Sequence, residues 1–141
     1  MKTQAVRIIK FDAGHRVLNH ESKCRNFHGH EYKAEIYAEA YSLDNLGRVI
    51  DFSVIKEKIG SWIDANWDHA MLINVKDPDL SSFHRMDGGK KIYECGYNPT
   101  AENIARDLYI IGNELLTGTS VRITKIKLWE TSNCYVEYFE S

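Results

Sequence analysis

Six histidines stand in this chain, and three of them have the spacing of a site. His28-Gly29-His30 comes immediately before the most regular β pattern in the sequence. Residues i and i+2 of an extended segment point the same way, so both imidazoles can converge on one point. Gly29 removes the side chain that would crowd the other face. His15 lies just after the first strand-like run and joins the pair if the two segments form a meander. Three neutral imidazoles on adjacent strand ends suit a catalytic zinc, which keeps a fourth position open for water or substrate. The H-x-H spacing is equally compatible with a chance surface pair.

Four further residues could act beside such a centre. Cys24 lies four residues before His28, in the loop between His15 and the pair. Its thiolate is either a fourth ligand that closes a structural site or a base or nucleophile off the metal. Lys23 and Arg25 on either side would favour the thiolate, and Glu21-Ser22-Lys23-Cys24-Arg25-Asn26 is too polar to be core. Asp68 and His69 adjoin, as a proton relay or as a capping Asp beside a helix-terminal His. Glu130 ends the apolar run Ile126-Lys127-Leu128-Trp129, where two carboxylate oxygens suit a ligand with two adjacent N–H donors; the plainer alternative is an exposed Glu entering a turn. His20 and His84 sit in polar loops and are expected in solvent, and Cys95 and Cys134 are expected to be inert thiols. The chain has no Gly-rich phosphate loop, no G-x-S-x-G elbow and no CxxC pair.

The elements that must hold these residues follow from periodicity. Residues 5–12 suit a strand by β-branched content. Residues 31–41 alternate cleanly, with Tyr32, Ala34, Ile36, Ala38 and Ala40 on one face and mostly charged residues and Tyr on the other. The small alanines predict a helix lying close against that face. Asp51 is placed to cap a helix over 52–66. Asn98-Pro99-Thr100 opens a second helix, with Ala101, Ile104, Ala105, Leu108, Ile111 and Leu115 as its buried stripe and Gly118 as its stop. Residues 121–130 and 134–139 read as the last two strands, with a bulge near Lys125 where the apolar phase slips. Residues 75–97 form a long excursion between the helices, with a short strand at 91–93. The expected fold is therefore α+β: a four-stranded antiparallel sheet with two helices on one face, in the order strand-strand-helix-helix-strand-strand.

Length and composition limit the alternatives. A chain of 141 residues is expected to be a single domain over 1–141. With 18 basic and 20 acidic residues it lacks the basic excess of a nucleic-acid binder. A 43% apolar share builds a core and excludes a disordered chain. No apolar run reaches the roughly 20 residues of a membrane helix, and Met1-Lys2-Thr3-Gln4 lacks a signal-peptide pattern. A cytoplasmic protein with reduced thiols is expected.

Taken in order, the motifs resemble the signature of the 6-pyruvoyltetrahydropterin synthase and 6-carboxytetrahydropterin synthase family. They are Phe11-Asp12-Ala13-Gly14-His15-Arg16, Cys24-Arg25-Asn26-Phe27-His28-Gly29-His30, Val49-Ile50-Asp51-Phe52, Trp67-Asp68-His69-Ala70-Met71-Leu72, Asn98-Pro99-Thr100-Ala101-Glu102-Asn103 and Glu130-Thr131. The resemblance implies the tunnelling fold, in which small α+β subunits join their sheets into a barrel as a homo-hexamer (a dimer of trimers) with active sites between subunits. It implies zinc on His15, His28 and His30, Cys24 as general base, and Asp68 with His69 as the relay. Glu130 would anchor the pterin ring and share in the relay, and Thr100 would be a pterin contact. The implied substrate is 7,8-dihydroneopterin triphosphate. In the carboxy branch, preferred because the short chain resembles bacterial members, the product is 6-carboxy-5,6,7,8-tetrahydropterin. That branch releases acetaldehyde and triphosphate and feeds 7-deazaguanine (queuosine) synthesis. The alternatives are the pyruvoyl branch, which eliminates triphosphate from the same substrate, and a non-catalytic pterin-binding protein with structural zinc. Lys23, Arg25 and Arg16 are the charge-based candidates for the triphosphate.

Overall fold

A computed structural model describes residues 2–86 and 91–141. Its six strands are β1 (Gln4–His15), β2 (His28–Ala40), β3 (Ala70–Asn74), β4 (Ile92–Cys95), β5 (Val121–Thr131) and β6 (Cys134–Phe139). Its α-helices are α1 (Phe52–Ile55), α2 (Ser61–Asn66), α3 (Leu80–Arg85) and α4 (Ala101–Leu115). The strands form one sheet in the order β4-β3-β1-β2-β5-β6.

This α+β architecture corrects the expectation of four antiparallel strands. β1, β2, β5 and β6 are antiparallel as read from the sequence, but β3 lies parallel to β1 and β4 parallel to β3. The missed β3 is the continuous apolar run Ala70-Met71-Leu72-Ile73, the pattern of a parallel strand covered on both sides rather than an alternating one. The excursion thus holds α3 and, at β4, the expected short strand.

The alternation in β2 holds: Tyr32, Ala34, Ile36 and Ala38 are fully buried and face the helices. Helix α4 starts where the sequence predicts, with the Thr100 hydroxyl accepting the Asn103 N–H at 3.2 Å. Its buried stripe ends on Gly112, with Leu116 beyond it in the core, rather than on the expected Ile111 and Leu115. A Cβ on Gly112 would collide with the Ile123 side chain, so the missing side chain lets the helix touch the sheet. The predicted bulge also forms: Tyr37 pairs with Lys125 and Ala38 with Ile123, leaving Thr124 as the extra residue.

The helix expected over 52–66 carries a π turn at Lys56–Gly60 between α1 and α2. Asp51 caps it by accepting the Ser53 N–H at 2.9 Å. Ile55, Ile59, Ile63 and Trp67, all fully buried, stand four residues apart. In a regular α-helix that spacing drifts about 40° per step. The wider π turn absorbs the drift and keeps the column under the sheet. On the sheet's opposite, outer face, Lys33 lies over Trp129 at 4.7 Å, Lys125 lies over Tyr37 at 4.3 Å, and the Trp129 indole N–H donates to Glu35 at 2.5 Å. No helix among the described residues is long and apolar enough to cross a membrane.

Candidate active site

Register assembles the three histidines. His15 pairs with His28 and Ala13 with His30, so all three rings lie on the inner face at one end of the β1–β2 hairpin. One ligand atom from each falls within 4.8 Å of the others. Ring centroids are 4.6, 5.1 and 4.9 Å apart.

Hydrogen bonds fix the tautomers. His15 Nδ1–H donates to the Pro99 carbonyl at 2.6 Å and His28 Nδ1–H to the Asn26 carbonyl at 2.7 Å. When both rings are neutral, each Nε2 therefore carries a lone pair, and the two nitrogens face one another at 3.1 Å. His30 Nε2 is buried and has no hydrogen-bond partner. Burial pushes the His15 pKa down to about 4, against the pull of the Pro99 carbonyl. Burial also lowers that of His30, although Glu130 opposes it. With burial favouring the neutral forms of His15 and His30, the orphaned His30 nitrogen and the close His15–His28 nitrogens are donors that a cation among them would satisfy. Backbone carbonyls orient two of the three rings, His15 and His28, through Nδ1, and the three together form a nitrogen donor set that could hold a metal ion.

A second irregularity brings Glu130 to this group. Trp129 pairs with Tyr135 and Thr131 with Cys134, so Glu130 is the extra residue of a bulge in β5. Bulges re-aim side chains. Its two carboxylate oxygens stand 4.0 Å from His15 Nε2 and 3.9 Å from His30 Nε2.

Asp68 and His69 are not brought to the histidines. They form the turn between α2 and β3, with His69 at φ 59. Ala70 pairs with Ala13 and Leu72 with His15, so alternation puts Met71 on the outer face with Asp12 and Gly14, and His69 borders the same cavity as those three residues. The three-histidine group and His69 therefore occupy opposite faces of one sheet. The pair itself is well formed: His69 Nδ1–H donates to Asp68 Oδ2 at 2.8 Å, and Asp68 Oδ1 accepts the Asp12 N–H at 2.9 Å. Burial opposes ionisation of Asp68. The Asp12 N–H, the His69 ring and the charge of Lys91 outweigh it and hold the carboxyl below the usual range. The other ring nitrogen of His69 is left for a ligand on a side chain that is 75% exposed. Beside it lies a cavity of about 610 Å³ walled by Met71, Phe83, Met86, Lys91 and Ile92.

Cys24 lies in a 3₁₀ turn, Lys23–Arg25, within the β1–β2 connection; it is half-buried, and its sulfur is outside the histidine group. Contacts that sequence reasoning missed hold this connection. Arg16 binds Asp77 through two nitrogens and Asp79 at 2.7 Å, and its guanidinium lies 4.2 Å over Phe27. Asn98 clamps Leu18 in both directions: Oδ1 accepts the Leu18 N–H at 3.1 Å and Nδ2 donates to its carbonyl at 3.0 Å. Arg16 is thus committed to carboxylates, whereas Lys23 and Arg25 are exposed and enter no ion pair among the described residues. The hydroxyl of Thr100 is engaged as the α4 cap. His20, expected in solvent, is half-buried, and its Nδ1 accepts the Ser22 N–H at 2.9 Å. His84 is exposed. Cys95 is buried, which raises its thiol pKa to about 12, and Cys134 is exposed.

Comparison with known proteins adds a consistent set of likenesses. Residues 5–141 match the family described as 6-pyruvoyl tetrahydropterin synthase. A protein of Rickettsia felis named 6-carboxy-5,6,7,8-tetrahydropterin synthase is 43% identical over 135 residues, which are 95% of this chain and 98% of the relative. One of the same name from Aquifex aeolicus is 30% identical, with 99% of each chain covered. Among solved structures, an uncharacterized protein of Wolinella succinogenes superposes with a TM-score of 0.86 at 21% identity, covering 100% of this chain and 99% of that one. The 6-pyruvoyl tetrahydropterin synthase of Caenorhabditis elegans gives 0.71 at 21%, covering 100% and 97%.

Proposed function

The chain belongs to the 6-pyruvoyl tetrahydropterin synthase family, and from that premise we propose that it is a zinc-dependent 6-carboxy-5,6,7,8-tetrahydropterin synthase. Its substrate is 7,8-dihydroneopterin triphosphate, and its side products are acetaldehyde and triphosphate. The observation that carries the choice of branch is the 43% identity, over nearly the whole of both chains, to a relative with that name.

His15, His28 and His30 would hold the metal. Zinc held there would supply Lewis acidity toward the hydroxyls of the substrate side chain. Cys24 removes a carbon-bound proton as general base. His69 moves a proton at its free ring nitrogen, while Asp68 holds Nδ1 and fixes the tautomer. Glu130, aimed by its bulge, accepts N–H donors from the edge of the pterin ring. Thr100 stands at the N-terminus of α4 as a further pterin contact, its hydroxyl still able to donate while it accepts the cap.

The rings proposed to hold zinc and the His69 ring point to opposite faces, so one chain does not aim both at one substrate, although His30 and His69 both border the outer-face cavity. That arrangement supports a catalytic centre completed by a neighbouring copy, within a homo-hexamer built as a dimer of trimers. The outer face of lysines, glutamates and aromatics would then line the shared barrel.

The test is incubation of the pure, zinc-loaded protein with the triphosphate, with products identified by mass spectrometry. The carboxypterin and acetaldehyde are expected; a pyruvoyl product, or none, overturns the reading. Cys24→Ala is expected to retain stoichiometric zinc and lose turnover. Loss of zinc in that variant would make Cys24 a ligand and the site structural.

A further inference from the structure

The turn that carries Asp68 and His69 is held from three sides. Helix α2 ends just before it and leaves carbonyl groups without partners inside the helix. From β1, the Asp12 carbonyl accepts the His69 N–H at 2.6 Å, and the Asp12 N–H donates to the Asp68 carboxylate at 2.9 Å. The third side is Lys91, which immediately precedes β4. Its ammonium donates to the Asp64 carbonyl at 2.6 Å and to the Asp68 carbonyl at 2.5 Å. Its own carbonyl accepts the Met71 N–H at 3.0 Å.

The Asp68 carbonyl belongs to the peptide that links the two residues of the pair. His69 stands in the left-handed region at φ 59, a conformation that a residue with a side chain adopts only when its surroundings impose it. Lys91 bonds directly to that peptide and leaves both side chains free to bond each other. Lys91 has no carboxylate within ion-pair reach among the described residues, so both of its observed bonds go to this turn. A cation at a helix C-terminus would by itself be an ordinary stabilising contact. Two features separate Lys91 from that case: it binds the peptide of the strained turn, and it lines the outer-face cavity together with His69.

We propose that Lys91 is a positioning residue for the Asp68–His69 pair, holding the His69 ring at the angle from which it reaches substrate. The inference rests on the relay role given above to Asp68 and His69. It also gives the chain segment between β3 and α4 a task, since that segment delivers Lys91 to the turn.

Lys91→Met keeps the aliphatic stem and removes the donors, and Lys91→Arg keeps a donor. In the zinc-loaded, full-length enzyme, Lys91→Met is expected to lower kcat about ten- to a hundred-fold, with KM changed by no more than about two-fold. Zinc content should be unchanged, and Lys91→Arg should recover a large part of the loss. Ammonium in the buffer, which replaces only the missing Nζ, should restore turnover in part to Lys91→Met but not to His69→Gln. A kcat for Lys91→Met equal to that of the wild type overturns the inference, as does a rise in KM at constant kcat, which would make Lys91 a substrate ligand. A second measurement is independent of turnover. The carbon-bound ring-proton resonance of His69, assigned by its absence in His69→Gln, should shift or broaden in Lys91→Met while the rest of the spectrum persists. If that resonance is unchanged, the inference fails whatever the activity. If the wild-type enzyme makes no pterin product but the resonance responds, the functional reading fails and the positioning contact stands.

Discussion

His15 should make the metal-free protein sensitive to acid by a calculable amount. The residue is 1% exposed, and burial puts its pKa at about 4 in the folded chain, against an ordinary value of 6.5. Between these values the unfolded chain binds the proton and the folded chain does not, so stability falls as pH falls through that window. A difference of about 2.5 units is worth about 3.4 kcal/mol at the low-pH limit, or about 2 kcal/mol by pH 5 and about 3 by pH 4. His15→Asn removes the titration but keeps an N–H where Nδ1 donates to Pro99. Urea unfolding of chelator-treated wild type and variant, followed by circular dichroism from pH 7 to pH 4, isolates the effect. The gap between the two stabilities should shift by about 3 kcal/mol over that range, with the wild type losing ground as acid is added. A gap that shifts by less than about 1 kcal/mol would refute the claim that burial holds this ring neutral.

Two further perturbations test the scaffold around the site. Asp77→Asn leaves the Arg16 guanidinium over Phe27 with Asp79 as its remaining carboxylate. It should cost about 3 kcal/mol in urea unfolding and lower turnover by loosening the Cys24 connection; unchanged stability would contradict the clamp. Leu108→Ala empties a fully buried position of α4 and should cost about 3 kcal/mol without altering zinc content. A loss under about 1 kcal/mol would mean that the α4–sheet contact is not tightly packed.

What could be read from the sequence was whatever short-range periodicity controls. The two-residue alternation of β2 fixes which way His28 and His30 point, and Asp51 and Thr100 mark the starts of α1 and α4. What escaped reading depends on partners distant along the chain. His15 finds the Pro99 carbonyl 84 residues away, and Arg16 finds Asp77 61 residues away. Neither contact leaves a periodic trace. β3 escaped because a strand covered on both sides does not alternate. The π turn escaped because four-residue spacing of isoleucines also suits an ordinary helix. The separation of the two halves of the site onto opposite faces required the parallel pairing of β3 with β1, which local pattern does not specify.

That separation has a consequence for inheritance. On the reading proposed above, each working centre takes its histidine cluster from one copy and its Asp68–His69 pair from another. Two defective alleles, one lacking His30 and one lacking His69, would each encode an inactive protein when alone in a cell. Expressed together, they would form mixed contacts in which the intact cluster of one product meets the intact pair of the other. Activity would then reappear in a heterozygote from two dead genes, and diluting the enzyme until its copies part would extinguish it.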